Sequence, residues 1–173
     1  GDRAGIPPQA LDVDRAHDVS ELLASGAGDA RDRATDWDDV ADLLWVDGCD
    51  VGPAGGDGAG EPATADPCTV LGVCDRGSRL VGAAAAAVRS AGSGRRVGHI
   101  RMLVVHPDHR GEGVGTELVS AAERWLRGAG AVSTVLAGEA PAYLWPGVPA
   151  EDEVLVGWAL RRGYEVAGER SNL

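Results

Sequence analysis

The run Val104-Val105-His106-Pro107-Asp108-His109-Arg110-Gly111-Glu112-Gly113-Val114-Gly115-Thr116 gathers residue types suited to gripping an anion. Glycines at 111, 113 and 115 carry no Cβ, so a phosphate can approach the backbone closely. If a helix starts here, the N–H groups of its first turn have no partner further back in the helix and point at that anion, with the helix dipole behind them. His106 and His109 have the spacing of paired metal ligands, but no third ligand lies in sequence reach, and no metal is expected. Cys49, Cys68 and Cys74 form an odd set without a C-x-x-C pair, which reads as reduced thiols of a cytoplasmic protein.

The elements around this run are those an anion loop needs. Ile100 to Val105 is an apolar strand, Pro107 turns the chain, and after the glycines Val114, Leu118, Ala121, Ala122, Trp125 and Leu126 recur at helical spacing. Two other phosphate loops are excluded. A P-loop requires Gly-Lys-Ser/Thr, and the chain contains no lysine. A dinucleotide fingerprint requires a third glycine where Thr116 stands, and an acidic residue about 20 positions on that is missing here.

Elsewhere the pattern predicts a short strand over 9–13, a helix from Asp14 to about Ser25, and a second helix from Thr35 or Asp36 to Val46. Residues 48–67 are too rich in glycine and proline to pack and read as a mobile loop inside one domain. A hairpin follows, with strands over 69–74 and 80–88 around Asp75-Arg76-Gly77-Ser78. The Ala83–Ala87 run favours helix in isolation but is read as strand from its place in that hairpin. A strand over 97–105, the loop, a helix over 113–127, a strand over 133–137, a helix over 151–162 and a strand from Tyr164 complete the chain.

The segment Arg110-Gly111-Glu112-Gly113-Val114-Gly115 matches Arg/Gln-x-x-Gly-x-Gly/Ala, and with Val105-His106-Pro107 before it the chain resembles the acetyl-CoA loop of the GNAT acyltransferase superfamily. The element order β, α, α, β, β, β, α, β, α, β extends the resemblance over nearly the whole chain. It implies an α/β fold: a mixed, mostly antiparallel twisted sheet, splayed between its two central strands and flanked by helices. Residues 1–173 would form one such domain. Its last strand would be missing, because the sequence ends at Ser171-Asn172-Leu173 where the family usually adds another. Gly1-Asp2-Arg3 reads as a processed or trimmed start.

The resemblance also implies site residues. The coenzyme pyrophosphate would rest on main-chain N–H groups of the loop and helix start, at Arg110, Gly111, Gly113, Val114, Gly115 and Thr116. The pantetheine arm would pair with Leu103, Val104 and Val105 as an added strand. Family members that use a strand glutamate as general base carry it eleven positions before the Arg/Gln of the loop; His99 occupies that position, and an imidazole suits the task. Arg101, two residues on along the same strand face, would disfavour cationic His99. Many members place a tyrosine four residues before the glycine of a glycine-aromatic pair. Here the pair is Gly163-Tyr164 and the earlier position is Ala159, leaving Tyr143 as the candidate acid. Glu139 and the cluster Glu151-Asp152-Glu153 read as charges at a helix start.

Composition narrows the partners. A net charge of −11 argues against nucleic acid, and no run of apolar residues is long enough to span a membrane. The charge is lopsided: residues 1–66 hold 16 acidic residues against 4 arginines, and residues 67–173 hold 11 against 12. An acidic half of this kind attracts cationic substrates such as amines, besides keeping the surface solvated. The expected function is acetyl transfer from acetyl-CoA to the amine of a small molecule or peptide. The expected setting is a bacterial cytoplasm, with a homodimer or a tandem partner domain as assembly. A degenerate acyl-CoA-binding or regulatory domain, one half of a tandem pair, is the rival class.

Overall fold

The computed structural model describes residues 7–26, 41–46, 66–90, 94–137 and 152–167. Five strands form one sheet in the order β1 (Gln9–Ala10), β2 (Cys68–Cys74), β3 (Leu80–Ser90), β4 (Arg96–Val105) and β5 (Ser133–Leu136). The first four are antiparallel neighbours, and β5 lies parallel to β4. The helices are α1 (Ala16–Gly26), α2 (Val114–Gly128) and α3 (Glu153–Arg161), with a π-helical turn at Asp42–Val46. This is the mixed, mostly antiparallel, helix-flanked sheet expected from the sequence.

The alanine run is strand because both its faces are covered. Ala83 and Ala85 pack with Val19, Leu22, Leu44 and Trp45, whereas Ala84 and Ala86 pack with Leu118, Val119 and Ala122 of α2. Alternation along the strand serves two cores at once. Small residues let the helices come close. A Cβ on Gly82 would stand 2.6 Å from Val114 Cγ1, and one on Gly98 would stand 2.9 Å from Leu126 Cδ2. Those two glycines allow both ends of α2 to lie against β3 and β4. The hairpin turn is closed by Asp75, whose Oδ1 accepts from Gly77 N at 2.8 Å and Arg79 N at 3.0 Å.

Several elements differ from the sequence reading. β1 is two residues long, and helical structure begins one residue early in a 3-10 turn at Val13–Arg15. The expected strand from Tyr164 is not formed over 164–167. Gly163, at φ +90°, closes α3 with Tyr164 N donating to Ala159 O, and the Tyr164 side chain ties to α2 instead of a sheet edge. Cys68 is disulfide-bonded to a partner outside the described residues, and Cys74 is a free thiol. That corrects the expectation of three reduced cysteines, since an odd count leaves room for one bridge. The start of the second predicted helix, residues 48–65 of the predicted loop, Tyr143 and Glu139 lie outside the described residues.

Candidate active site

The loop is built by caps and turns. His106 Nδ1 accepts from Asp108 N at 3.3 Å and starts a 3-10 turn over Pro107–His109, closed by His109 N donating to His106 O at 2.9 Å. Gly111 and Gly113 then take φ +75° and +89°, a left-handed backbone that favours glycine. Gly113 caps α2 without a side chain, and its carbonyl accepts from Glu117 N at 3.0 Å. Nothing stands within 4 Å of where a Cβ would lie on either glycine, and on Gly115 the nearest atom is Val105 Cγ2 at 3.6 Å. Two backbone positions at the start of α2 are therefore bare, and the first-turn N–H groups, which lack helix carbonyls behind them, lie next to them, an arrangement suited to an anion.

The strand leading into this loop has an open edge. β4 pairs with β5 only from Val97 to Ile100, and Ala137 N ends the register by donating to Ile100 O at 2.9 Å. Ala137 has φ +67°, an uncommon conformation for a residue with a Cβ, and it marks where β5 stops following β4. Toward β3, His106 N donates to Val81 O, and the alternation of an antiparallel ladder then turns the main chain of Val104 toward Ala83. Leu103 and Val105 turn theirs to the open side. Arg110 Nε reaches back to Val105 O at 3.3 Å.

A β-bulge falls between these parts. Ala85 pairs with Met102 and Ala86 with Ile100, leaving Arg101 as the extra residue on β4. Arg101 is buried. The bulge keeps Met102 and Val104 in the core under α1, while Ile100 and Leu103 face α2. His99 pairs with Ala87 and Val135, is half-buried, and by alternation with Gly98 looks away from α2. The structure thus sets His99 on the last stretch of paired β4 and the glycine loop beyond its open stretch.

A network that sequence reasoning missed holds α3 to α2. Trp158 Nε1 donates to Thr116 Oγ1 at 3.3 Å, Arg162 Nη2 lies 3.1 Å from both Ser120 Oγ and Glu123 Oε2, and Tyr164 O–H donates to Glu123 Oε1 at 2.8 Å. The Arg162 guanidinium sits 5.4 Å from the centre of the Trp158 ring. Burial, and then the Glu123 carboxylate, push the Tyr164 phenol above its ordinary range. Arginine and tyrosine 39 and 41 residues from their carboxylate leave no periodic signal. Asp152 caps α3 through Leu155 N at 2.9 Å, as its place in the acidic cluster suggested. Ala159 is buried in this helix.

Among the described residues no three His, Cys, Asp or Glu side chains gather as a metal site. A cleft of about 420 Å³ lies between β1, the 3-10 turn and the β2–β3 hairpin, another of about 150 Å³ lies beside α1, and neither is lined by His99 or residues 110–116. No helix among the described residues is long and apolar enough to cross a membrane.

The sequence matches the model of the acetyltransferase (GNAT) family over residues 37–144, more than half of the chain. The chain belongs to the GNAT acetyltransferase family. Solved GNAT-like structures agree in fold. An acetyltransferase of Trypanosoma brucei is 19% identical, with a TM-score of 0.64 and 96% of each chain covered. A ribosomal-protein-alanine N-acetyltransferase from Brucella melitensis is 20% identical, with a TM-score of 0.65, 97% of this chain and 99% of that one covered. Glucosamine-6-phosphate N-acetyltransferase from Arabidopsis thaliana is 13% identical, with a TM-score of 0.62, 96% and 95% covered. No curated protein matches the sequence. The strand, turn, loop and helix order was anticipated by the sequence pattern, and the splay between β4 and β5 by the family resemblance.

Proposed function

We propose that this GNAT domain transfers an acetyl group from acetyl-CoA directly to an amine. The observation that carries the reading is the continuity of the open β4 edge with the glycine cradle, which together suit a long ligand ending in a pyrophosphate. The main-chain N–H groups of Arg110, Gly111, Gly113, Val114, Gly115 and Thr116 would hold the pyrophosphate. Leu103 and Val105, whose main-chain groups face the open side, would pair with the pantetheine arm, and Val104 would pack beside it. Bound acetyl-CoA supplies the thioester whose acyl carbon the amine attacks.

His99 accepts the proton the amine loses as its C–N bond forms, directly or through one water, and the departing thiolate recovers a proton from the general acid. Tyr143 is the candidate for that acid because α3 carries Ala159 at the position where many relatives have tyrosine. The same alanine favours the rival reading, a domain that binds acyl-CoA without turning it over.

The acceptor is an amine of a small molecule or a peptide. Solved structures of this fold include aminoglycoside and glucosamine-6-phosphate acetyltransferases as well as the ribosomal-protein enzyme, so the fold alone leaves both classes open. The acidic first third of the chain favours a cationic acceptor. A cytoplasmic setting and assembly as a homodimer or tandem pair remain part of this reading. Thiol release from acetyl-CoA, followed across a panel of aminosugars, polyamines and peptide N-termini, tests it: an amine-dependent rate is expected, and binding without release under every amine would leave the acyl-CoA-binding reading.

A further inference from the structure

The proposed pyrophosphate cradle contains a negative charge of its own. The residue between Gly111 and Gly113 is Glu112, its side chain 40% exposed, and Glu117 adds a second carboxylate on the first turn of α2. An anion arriving at that helix start would meet Glu112 beside the main-chain donors meant to receive it, and like charges at that range repel. A neighbouring imidazole engages it. His109 Nδ1 lies 3.1 Å from Glu112 Oε2.

That imidazole is well fixed. Its residue ends the 3-10 turn, the main-chain N–H of His109 donates to His106 O, and the ring stands edge to face with that of His106, centres 5.9 Å apart. His106 is itself held by Asp108 N and lies 3.5 Å from Arg79 Nη2. Nearby, Asp108 approaches His106 at 3.8 Å, and Arg110 Nε turns back to Val105 O. We infer that His109 is a positioning residue for the coenzyme, whose Nδ1–H draws the Glu112 carboxylate aside and offsets its charge so that the helix start admits a pyrophosphate. The assignment rests on the acetyl-CoA reading above and adds a residue to it.

Calorimetric titration with coenzyme A separates the two. Binding by the parent chain tests the reading beneath, and its absence overturns that reading and this assignment with it. Given binding, His109→Ala should raise Kd roughly three- to fivefold, the range of exposed charge interactions. In His109→Ala/Glu112→Gln the Kd should return to that of Glu112→Gln alone, and His109→Gln, which keeps a side-chain donor, should stay near the parent. The loss in His109→Ala should also shrink in about 1 M salt, where the screening length is about 3 Å. A merely structural histidine would lose affinity in both backgrounds and at every salt concentration. Parent-like affinity in His109→Ala, or a loss that Glu112→Gln fails to repair, overturns the assignment.

Discussion

His99 is half-buried on a strand whose two edges are both paired at that point, and two roles are open to such a residue: filling the sheet face, or taking a proton. They predict different damage. If His99 accepts the amine proton, His99→Ala should lower kcat/KM by roughly 10²- to 10⁴-fold, and the rise of kcat/KM with pH should disappear. Acetyl-CoA affinity should hold, because main-chain groups hold the coenzyme. A packing histidine would instead lower the melting temperature through the space it leaves while the pH profile of the surviving activity kept its shape. Arg101, which simple alternation would put on the same face, is buried and is the unpaired residue of the bulge. The strand was legible in the sequence, but the bulge that interrupts its alternation was not: an extra residue in a ladder depends on how two strands meet, and only the pairing of Ala85 and Ala86 with Met102 and Ile100 reveals it.

At the scale of elements, α2 is positioned from two sides. Gly82 and Gly98 bring it onto the sheet, and α3 grips its outer face through the Glu123 network. The packing reaches the end of the loop, since Val114, the residue beside Gly82, is the first residue of the helix. The α3 joint has a pH signature. Tyr164 is raised because burial and the Glu123 carboxylate both favour its neutral phenol. A raised value means the bond stabilises the fold fully below the ordinary phenol range, about 10, and loses that contribution as pH climbs beyond it. Tyr164→Phe should therefore cost about 1–2 kcal/mol at neutral pH, the size of a hydrogen bond to a charged acceptor, and should flatten the alkaline decline of stability. Chemical denaturation from pH 7 to 11 measures both. An equal decline in both proteins would place the alkaline sensitivity elsewhere.

Across the whole molecule, what the sequence displayed was whatever has a period or a short motif. Apolar runs and a hairpin turn marked β2 to β5, the helical stripe marked α2, and three glycines marked the loop before that helix. Tyr164 shows the limit of such reading: its place after a glycine suggested a new strand, whereas a carboxylate 41 residues away in α2 claims its hydroxyl. Contacts at that separation follow from the fold and leave no local trace. The Cys68 bridge and the His109–Glu112 pair were equally silent, because each depends on geometry that residue type alone does not fix. The proposed ligand offers a measurement on the fold as one unit. A coenzyme that binds only the folded chain adds stability by mass action, about 2.7 kcal/mol at a hundredfold excess over Kd, or roughly 5–10 °C in melting temperature for a chain of this length. Gly113→Asp combined with Gly115→Asp should abolish that shift. Position 113 sits at φ +89° with open space around it, so an aspartate there is strained as well as repulsive, and the unliganded double variant should melt somewhat lower than the parent. Thermal melts of both proteins with and without acetyl-CoA decide the matter: a parent that does not shift would remove coenzyme binding from the proposed function, and a variant that still shifts would move the pyrophosphate away from this helix start.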